Sequence, residues 1–328
     1  MRAPLPKKEV LLPMSIQDAN DPAGNRVADT VAALRVVPQK KYGLWIGTAV
    51  VLALMYFIIR AFAVNPAFQW DVAGSYMFHR SIMRGLVNTL LLTVIIMTIA
   101  IVLGTVIAIM RVSRSAVLNA FASGYVWFFR GVPALIQLIF WFNLSLLVST
   151  ISITLPGVGT LFSIKTNDFM TPFFSAVVAL ALCEAGYMAE IIRAGIKSVP
   201  AGQGEAATAL GMPQRTILKR IVLPQAMRFV VPPTGNEAIN LLKMTSLVTF
   251  IAVNDLFYSA QSIYARTFET IPLLIVVSAW YLALVSIMSV GQFFLERHFG
   301  RSDRRSQSFI DTWLAGIFGG RNRRAPDA

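Results

Sequence analysis

What most constrains this chain is a succession of apolar stretches, each about as long as a membrane is thick. A hydrocarbon core of about 30 Å is crossed by about 20 residues of helix. Runs of that length lie at 44–63, 86–110, 133–151, 173–192, 233–253 and 271–295, with an amphipathic stretch at 117–129 ahead of the third. Arg60 interrupts the first run, close enough to its end to snorkel. The fifth run is the most polar, with Asn236, Glu237, Asn240 and Lys243 in its first half. Only 14% of the residues are charged, against about a quarter in a soluble domain. The pattern predicts an all-α integral membrane protein with about six transmembrane helices.

The charges that remain are distributed unevenly. A formal net charge of +13 in a soluble chain would point to nucleic acid. Here the basic residues flank the apolar runs and the phenylalanines lie inside them, so the partner is the membrane lipid surface and no nucleic acid. With the N-terminus inside, the outer segments carry only Arg80, Arg84, Lys165 and Arg266, and every other flanking Lys or Arg is cytoplasmic. That asymmetry requires an even number of spans and puts both termini in the cytoplasm. Residues 1–43, with Pro4, Pro6, Pro13, Pro22 and Pro38, read as an unstructured cytoplasmic tail with no secretory signal. Residues 297–328 form a basic cytoplasmic tail. In it Phe309, Ile310, Trp313, Leu314, Ile317 and Phe318 recur at helical spacing, which is either a helix lying on the inner leaflet or a tail with a few apolar residues.

The chemistry open to the chain is narrow. One cysteine, Cys183, sits inside an apolar run, and the two histidines, His79 and His298, are far apart at span margins. No disulfide framework, thiolate metal site or cofactor is expected from these. The sequence contains no GxxxxGK[ST] phosphate loop and no nucleophile motif, so the chain is not expected to be an enzyme and its energy source must be a partner.

The longest polar stretch between runs, 193–232, lies on the cytoplasmic side by the charge argument. The spacing predicts a short helix over 203–210, Gly211 as the left-handed residue that ends it, and a second short helix over 213–221 stopped by Pro224. Ala206, Ala207 and Ala209 keep the first helix slim. Two short helices joined at a glycine corner make a knob shaped for a groove in another protein.

Glu205-Ala206-Ala207, then Gly211, then Ile221, Leu223 and Pro224 resemble the cytosolic signature of type I ABC importer permeases. The flanks extend the resemblance towards the polar amino-acid subfamily: Gly186 to Ile196, Gly202-Gln203, Leu223-Pro224-Gln225-Ala226, Lys243 with Thr245-Ser246-Leu247, and Arg130-Gly131-Val132-Pro133 with Gln137. Met244 stands where that family commonly has Asp, and Gly186 where it more often has Ala. The resemblance covers about 85–296. It implies a five-helix importer core over that range, with 44–63 as an additional transmembrane helix and 201–224 as the coupling loop. It also implies a multi-pass subunit of the bacterial inner membrane that carries polar L-amino acids. The implied partners are an ABC ATPase that receives the knob, a periplasmic or surface amino-acid-binding protein, and a second permease subunit, the same chain or a sister. In that setting Glu205 makes polar contacts at the docking surface and Gly211 permits the corner. The loop at 152–172 would meet the binding protein.

Ionisable residues inside a membrane are costly and face the bundle interior. Glu184, in the middle of the fourth run, either binds a substrate ammonium or cationic side chain or is a structural carboxylate satisfied by a neighbouring span. Tyr187 shares its face. Asn236, Asn240 and Lys243 share a face of the fifth run; Lys243 either attracts a substrate carboxylate, pairs with Glu184, or pairs structurally with Glu237. Thr245 and Ser246 either touch ligand or hydrogen-bond between helices. Glu190 and Arg193 form an ion pair or a gate, and Gly104 with Ala108 suits close helix contact. An ion-coupled secondary transporter would show repeated halves, which are absent here, and a membrane enzyme would need a convergent catalytic set.

Overall fold

The computed structural model describes residues 42–155 and 159–299; the N-terminal tail and the 309–318 pattern lie outside them. The chain divides at residue 65 into two units. The first contributes helix α1 (Tyr42–Val64), apolar on every face and with its large side chains exposed all round, as a lipid-facing helix requires.

The second unit begins with the short helix α2 (Trp70–Tyr76), then α3 (Arg80–Val112), which spans the second apolar run. α4 (Ala116–Gly131) and α5 (Ala134–Phe142) follow, bent by 100° at Val132-Pro133. Proline forces the preceding residue out of the helical region, and this sets the corner. The third run is therefore not one straight helix over 133–151. α5 has only 9 residues, and a strand starts at Thr150. The loop after α5, which the sequence marks only as exposed, holds an antiparallel hairpin of β1 (Thr150–Leu155) and β2 (Gly159–Lys165), paired from Thr150↔Lys165 to Leu155↔Gly159.

α6 (Pro172–Lys197) starts cleanly. Pro172 occupies the first turn, where no N–H is needed, and the Thr171 hydroxyl accepts from Phe174 N at 3.3 Å. About 67% of its apolar window is buried inside the protein, against 39% for α3, so α6 is the span that lipid does not surround. Ala176, Ala179, Ala181, Ala185 and Ala189 on it are all buried, and small residues let other helices approach. Gly104 confirms the expected close contact: a Cβ there would lie 2.6 Å from Met188 Cβ and 3.0 Å from Ala189 N. The main core joins Leu92, Ile96 and Ala100 of α3 to Leu180 and Met188 of α6 and to Leu138 of α5.

Beyond α6 come α7 (Ala201–Ala209), a turn of helix at Gln214–Ile217, a π-helical turn at Leu218–Val222, and α8 (Leu223–Met244). Two expectations need correction here. Pro224 does not stop the second short helix; it lies in the first turn of α8, directly after the π-helical turn, and the chain stays helical through it. The fifth span begins at Leu223 rather than near 233, because Pro232 and Pro233 lie within the helix. The carbonyl of Pro232 receives Gln292 Nε2 at 2.7 Å. α8 tightens to a 3₁₀ segment at Thr245–Ile251, ends at Ala252 with φ 57°, and is followed by α9 (Leu256–Thr267) at a 44° bend. Asp255 caps α9, accepting from Tyr258 N at 2.7 Å and from Thr249 Oγ1 at 2.9 Å. α10 (Thr270–Phe299) closes the unit. Among the described residues, 4 helices are long and apolar enough to cross a membrane, or 6 if each bent pair counts as one span.

Candidate functional site

The bend between α4 and α5 carries Arg130 towards the middle of α6, and α8 closes the opposite wall. Between them lies a cavity of about 450 Å³, lined among others by Arg130, Glu184, Tyr187, Glu237 and Asn240. Glu184 is only 2% exposed, and its Oε1 has no hydrogen-bond partner. A buried carboxylate oxygen is costly without a donor, so Glu184 is placed to accept a hydrogen bond from a group in the cavity. Arg130 crosses the cavity with its guanidinium carbon 5.0 Å from the centre of the Tyr187 ring, within cation–π range. Glu237 accepts from Asn240 Nδ2 at 3.3 Å. Cys183 also lines the cavity.

Of the residues singled out in the sequence, the structure brings Glu184, Tyr187 and Asn240 to this cavity. Lys243, Thr245 and Ser246 are not part of its lining. Lys243 is exposed and pairs with neither Glu184 nor Glu237. The hydroxyl of Thr245 donates to Leu242 O at 2.7 Å and that of Ser246 to Lys243 O at 2.8 Å, so both turn back onto their own helix. Arg130 and Glu237 were not recognised as cavity residues from sequence. The available signal was a charged residue directly before a Gly-x-Pro corner, and an acid one turn from Asn240.

Towards the loop end of α6, Glu190 is held by two arginines, Arg111 of α3 and Arg193 one turn on. The carboxylate thus ties α3 to α6, and Asn119 of α4 adds a third helix by donating to Arg111 O at 2.6 Å. A bridge between helices is more than the local pair the spacing suggested.

The knob has its own small core. Ala207 and Ile217 are buried, while Glu205, Ala206 and Leu210 are exposed on α7 and the residue after it. Gly211 has φ 72°. Met212 N donates to Ala207 O at 3.1 Å and Gly211 N to Thr208 O at 2.9 Å, the paired bonds of a Schellman end. No atom would obstruct a Cβ at Gly211, so it is the backbone conformation and not space that calls for glycine there. Ile221 lies in the π turn, Leu223 and Pro224 in the first turn of α8, and Leu223 is 45% exposed.

The description "binding-protein-dependent transport system inner membrane component" matches residues 100–301, more than half of the chain. The chain belongs to this family of transporter permeases. The arginine transport system permease protein of Corynebacterium glutamicum is 41% identical over 270 residues, 82% of this chain and 84% of that one. The L-cystine transport system permease protein of Bacillus subtilis is 34% identical over 242 residues, 74% and 95% of the two chains. A solved structure described as an amino acid ABC transporter with histidines matches at TM-score 0.59 and 31% identity, covering 69% of this chain and 97% of that one. A methionine ABC transporter matches in fold alone, with TM-score 0.56 at 19% identity. The permease is thus an ABC importer membrane subunit of the type I fold. Its cavity and its knob lie at opposite ends of one continuous helical path, the knob at the Gln214 end and the cavity on α8.

Proposed function

We propose that this permease forms the path by which a bacterial ATP-driven importer carries polar L-amino acids across the inner membrane, and that the amino acid rests in the cavity between Arg130 and Glu184. The observation that carries this reading is the buried, unbonded Oε1 of Glu184 facing that space. Arg130 suits an α-carboxylate, since a guanidinium presents a planar fork of donors. Glu184 and Glu237 suit cationic groups. With both carboxylates ionised, the guanidinium and the two carboxylates sum to −1, a charge that a ligand of net +1, a cationic amino acid such as L-arginine, would neutralise. The 41%-identical arginine permease agrees with that charge.

The 201–224 loop docks on the ATPase partner through the exposed face of Glu205, Ala206 and Leu210, and Gly211, Ile221, Leu223 and Pro224 carry its movement into α8. A binding protein delivers the amino acid on the outer side, and a second permease subunit, this chain or a sister, completes the pore. The test is uptake in vesicles containing this chain, its ATPase and its binding protein. ATP-dependent L-arginine uptake should fall at least tenfold in Glu184→Gln with assembly intact, equivalent to about 1.4 kcal/mol. L-Arginine should also protect Cys183 from a cationic thiol reagent. Uptake driven by an ion gradient through this chain alone would overturn the reading.

A further inference from the structure

Nearer the knob, α8 and α6 border a second and chemically opposite space. A groove of about 420 Å³ runs between α3, α6, α8 and α10, with Ile101, Met188, Ile192, Met227, Val230 and Leu295 among its walls. It offers no free hydrogen-bonding group. Thr105 Oγ1 donates to Ile101 O at 2.6 Å and Thr234 Oγ1 to Val230 O at 2.8 Å, so both hydroxyls are spent on their own helices. Gln292, whose Oε1 crowds Gly235 at the edge of the groove, spends its Nε2 on Pro232 O and Glu296 Oε1. A space without donors or acceptors gives no foothold to an amino acid or to ordered water. It suits a saturated chain.

Position and charge narrow the occupant. Each helix contributes the part next to the knob: α6 through 188–196, α8 from Leu223 onward, and α10 through Leu295 in its last turns. On the charge asymmetry of the sequence this is the cytoplasmic side. Around that end stand Lys197, Arg220, Arg228 and Arg297, all exposed and none in an ion pair among the described residues. The acid nearest in sequence, Glu296, is bonded to Gln292. A helix is about 10 Å across, so the groove would be filled by roughly one turn, too little to seat a span of another subunit. At roughly 30 Å³ for a water-sized unit, it holds on the order of a dozen methylenes.

We infer that this groove takes one acyl chain of an anionic phospholipid from the cytoplasmic leaflet, with the headgroup against the basic rim. The assignment rests on the knob side being cytoplasmic and not on what the cavity binds. Because α6 and α8 flank the loop that moves with the ATPase, a chain wedged between them favours the arrangement in which the groove is open. The lipid is therefore a modulator of transport, with a site separate from the substrate cavity.

The assembled transporter, purified in nanodiscs of phosphatidylcholine with one-fifth phosphatidylglycerol, provides the test. Native mass spectra should show a phosphatidylglycerol adduct on each copy of this chain. It should be reduced at least fivefold in Ala238→Phe, which fills the groove from α8, and in Ile101→Trp, which fills it from α3. Arg228→Gln combined with Arg220→Gln should leave the fold intact and abolish the preference for phosphatidylglycerol over phosphatidylcholine. A photo-leucine at position 101, whose diazirine side chain is close in size to the native one and does not fill the groove, should crosslink to lipid. Adducts that survive both filling variants, an unchanged headgroup preference, or a crosslink to a second copy of this chain would each overturn the inference. Loss of L-arginine uptake with normal lipid adducts would instead bear on the cavity alone.

Discussion

At the scale of single residues, charge in a secluded space and one backbone angle decide most of the behaviour. Glu184 and Glu237 line the same cavity but differ in burial, Glu184 being almost sealed and Glu237 half-buried and bonded to Asn240. Their removal should therefore differ in kind. Glu184→Gln strips the deep anchor and lowers uptake of every substrate. Glu237→Gln makes the charged set neutral, so competition assays should show L-arginine losing its advantage over L-glutamine by roughly fivefold, about 1 kcal/mol. An unchanged ratio would remove Glu237 from the discrimination. Gly211 is a backbone case. Its φ of 72° costs an L-residue roughly 1–2 kcal/mol, and more if β-branched. Gly211→Val should leave ATP hydrolysis running while uptake per ATP falls severalfold, and Gly211→Asn, which tolerates that conformation, should keep coupling. Equal coupling in both variants would show that the corner geometry does not matter.

At the scale of elements, the informative features are the irregular ones. α8 contains two prolines yet continues; they withhold the donors that the Arg228 and Phe229 carbonyls would otherwise receive, and Gln292 of α10 donates to the Pro232 carbonyl one turn on. In an apolar layer a carbonyl without a partner costs on the order of 1–3 kcal/mol. Gln292→Leu should lower the melting temperature of the detergent-solubilised complex measurably, whereas Gln292→Asn, with a shorter reach, should fall between. No change would mean that the bond from Gln292 to α8 adds nothing to stability. Such features also mark what was legible in advance. The runs at 86–110, 173–192 and 271–295 correspond to α3, α6 and α10 because a membrane span leaves a long, strong periodless signal. The knob was legible from alanine spacing and one glycine. The bend at Val132-Pro133, the extension of α8 past its prolines and the hairpin at 150–165 were not, since each depends on a partner supplied from far along the chain or on a break that looks apolar on both sides. Half of the cavity was hidden for the same reason: Arg130 belongs to it only because the chain turns through 100° beside it.

At the scale of the whole molecule, the proposed coupling requires that movement at the knob reach the buried charged cavity. The knob is continuous with α8 through the π turn, and α8 carries Glu237 and Asn240 on the cavity wall. On the proposed coupling, a displacement of the knob would be delivered along a helix rather than through a flexible link, and would shift one wall of the cavity against α6. A π turn is the weak point of such a lever, since its hydrogen bonds are out of register with the helix on either side. The lever works only if the knob lies on the side of the motor, which the distribution of Lys and Arg demands. That placement can be read directly. With Cys183 replaced by alanine and a single cysteine introduced at Glu205, an impermeant maleimide should label inverted vesicles and leave intact cells unlabelled. A cysteine at Leu161 in the exposed hairpin should show the reverse. Added ATPase subunit should then shield the cysteine at 205 and not the one at 161. Labelling of position 205 from outside the cell would detach the motor from the lever and with it the coupling assigned to the 201–224 loop.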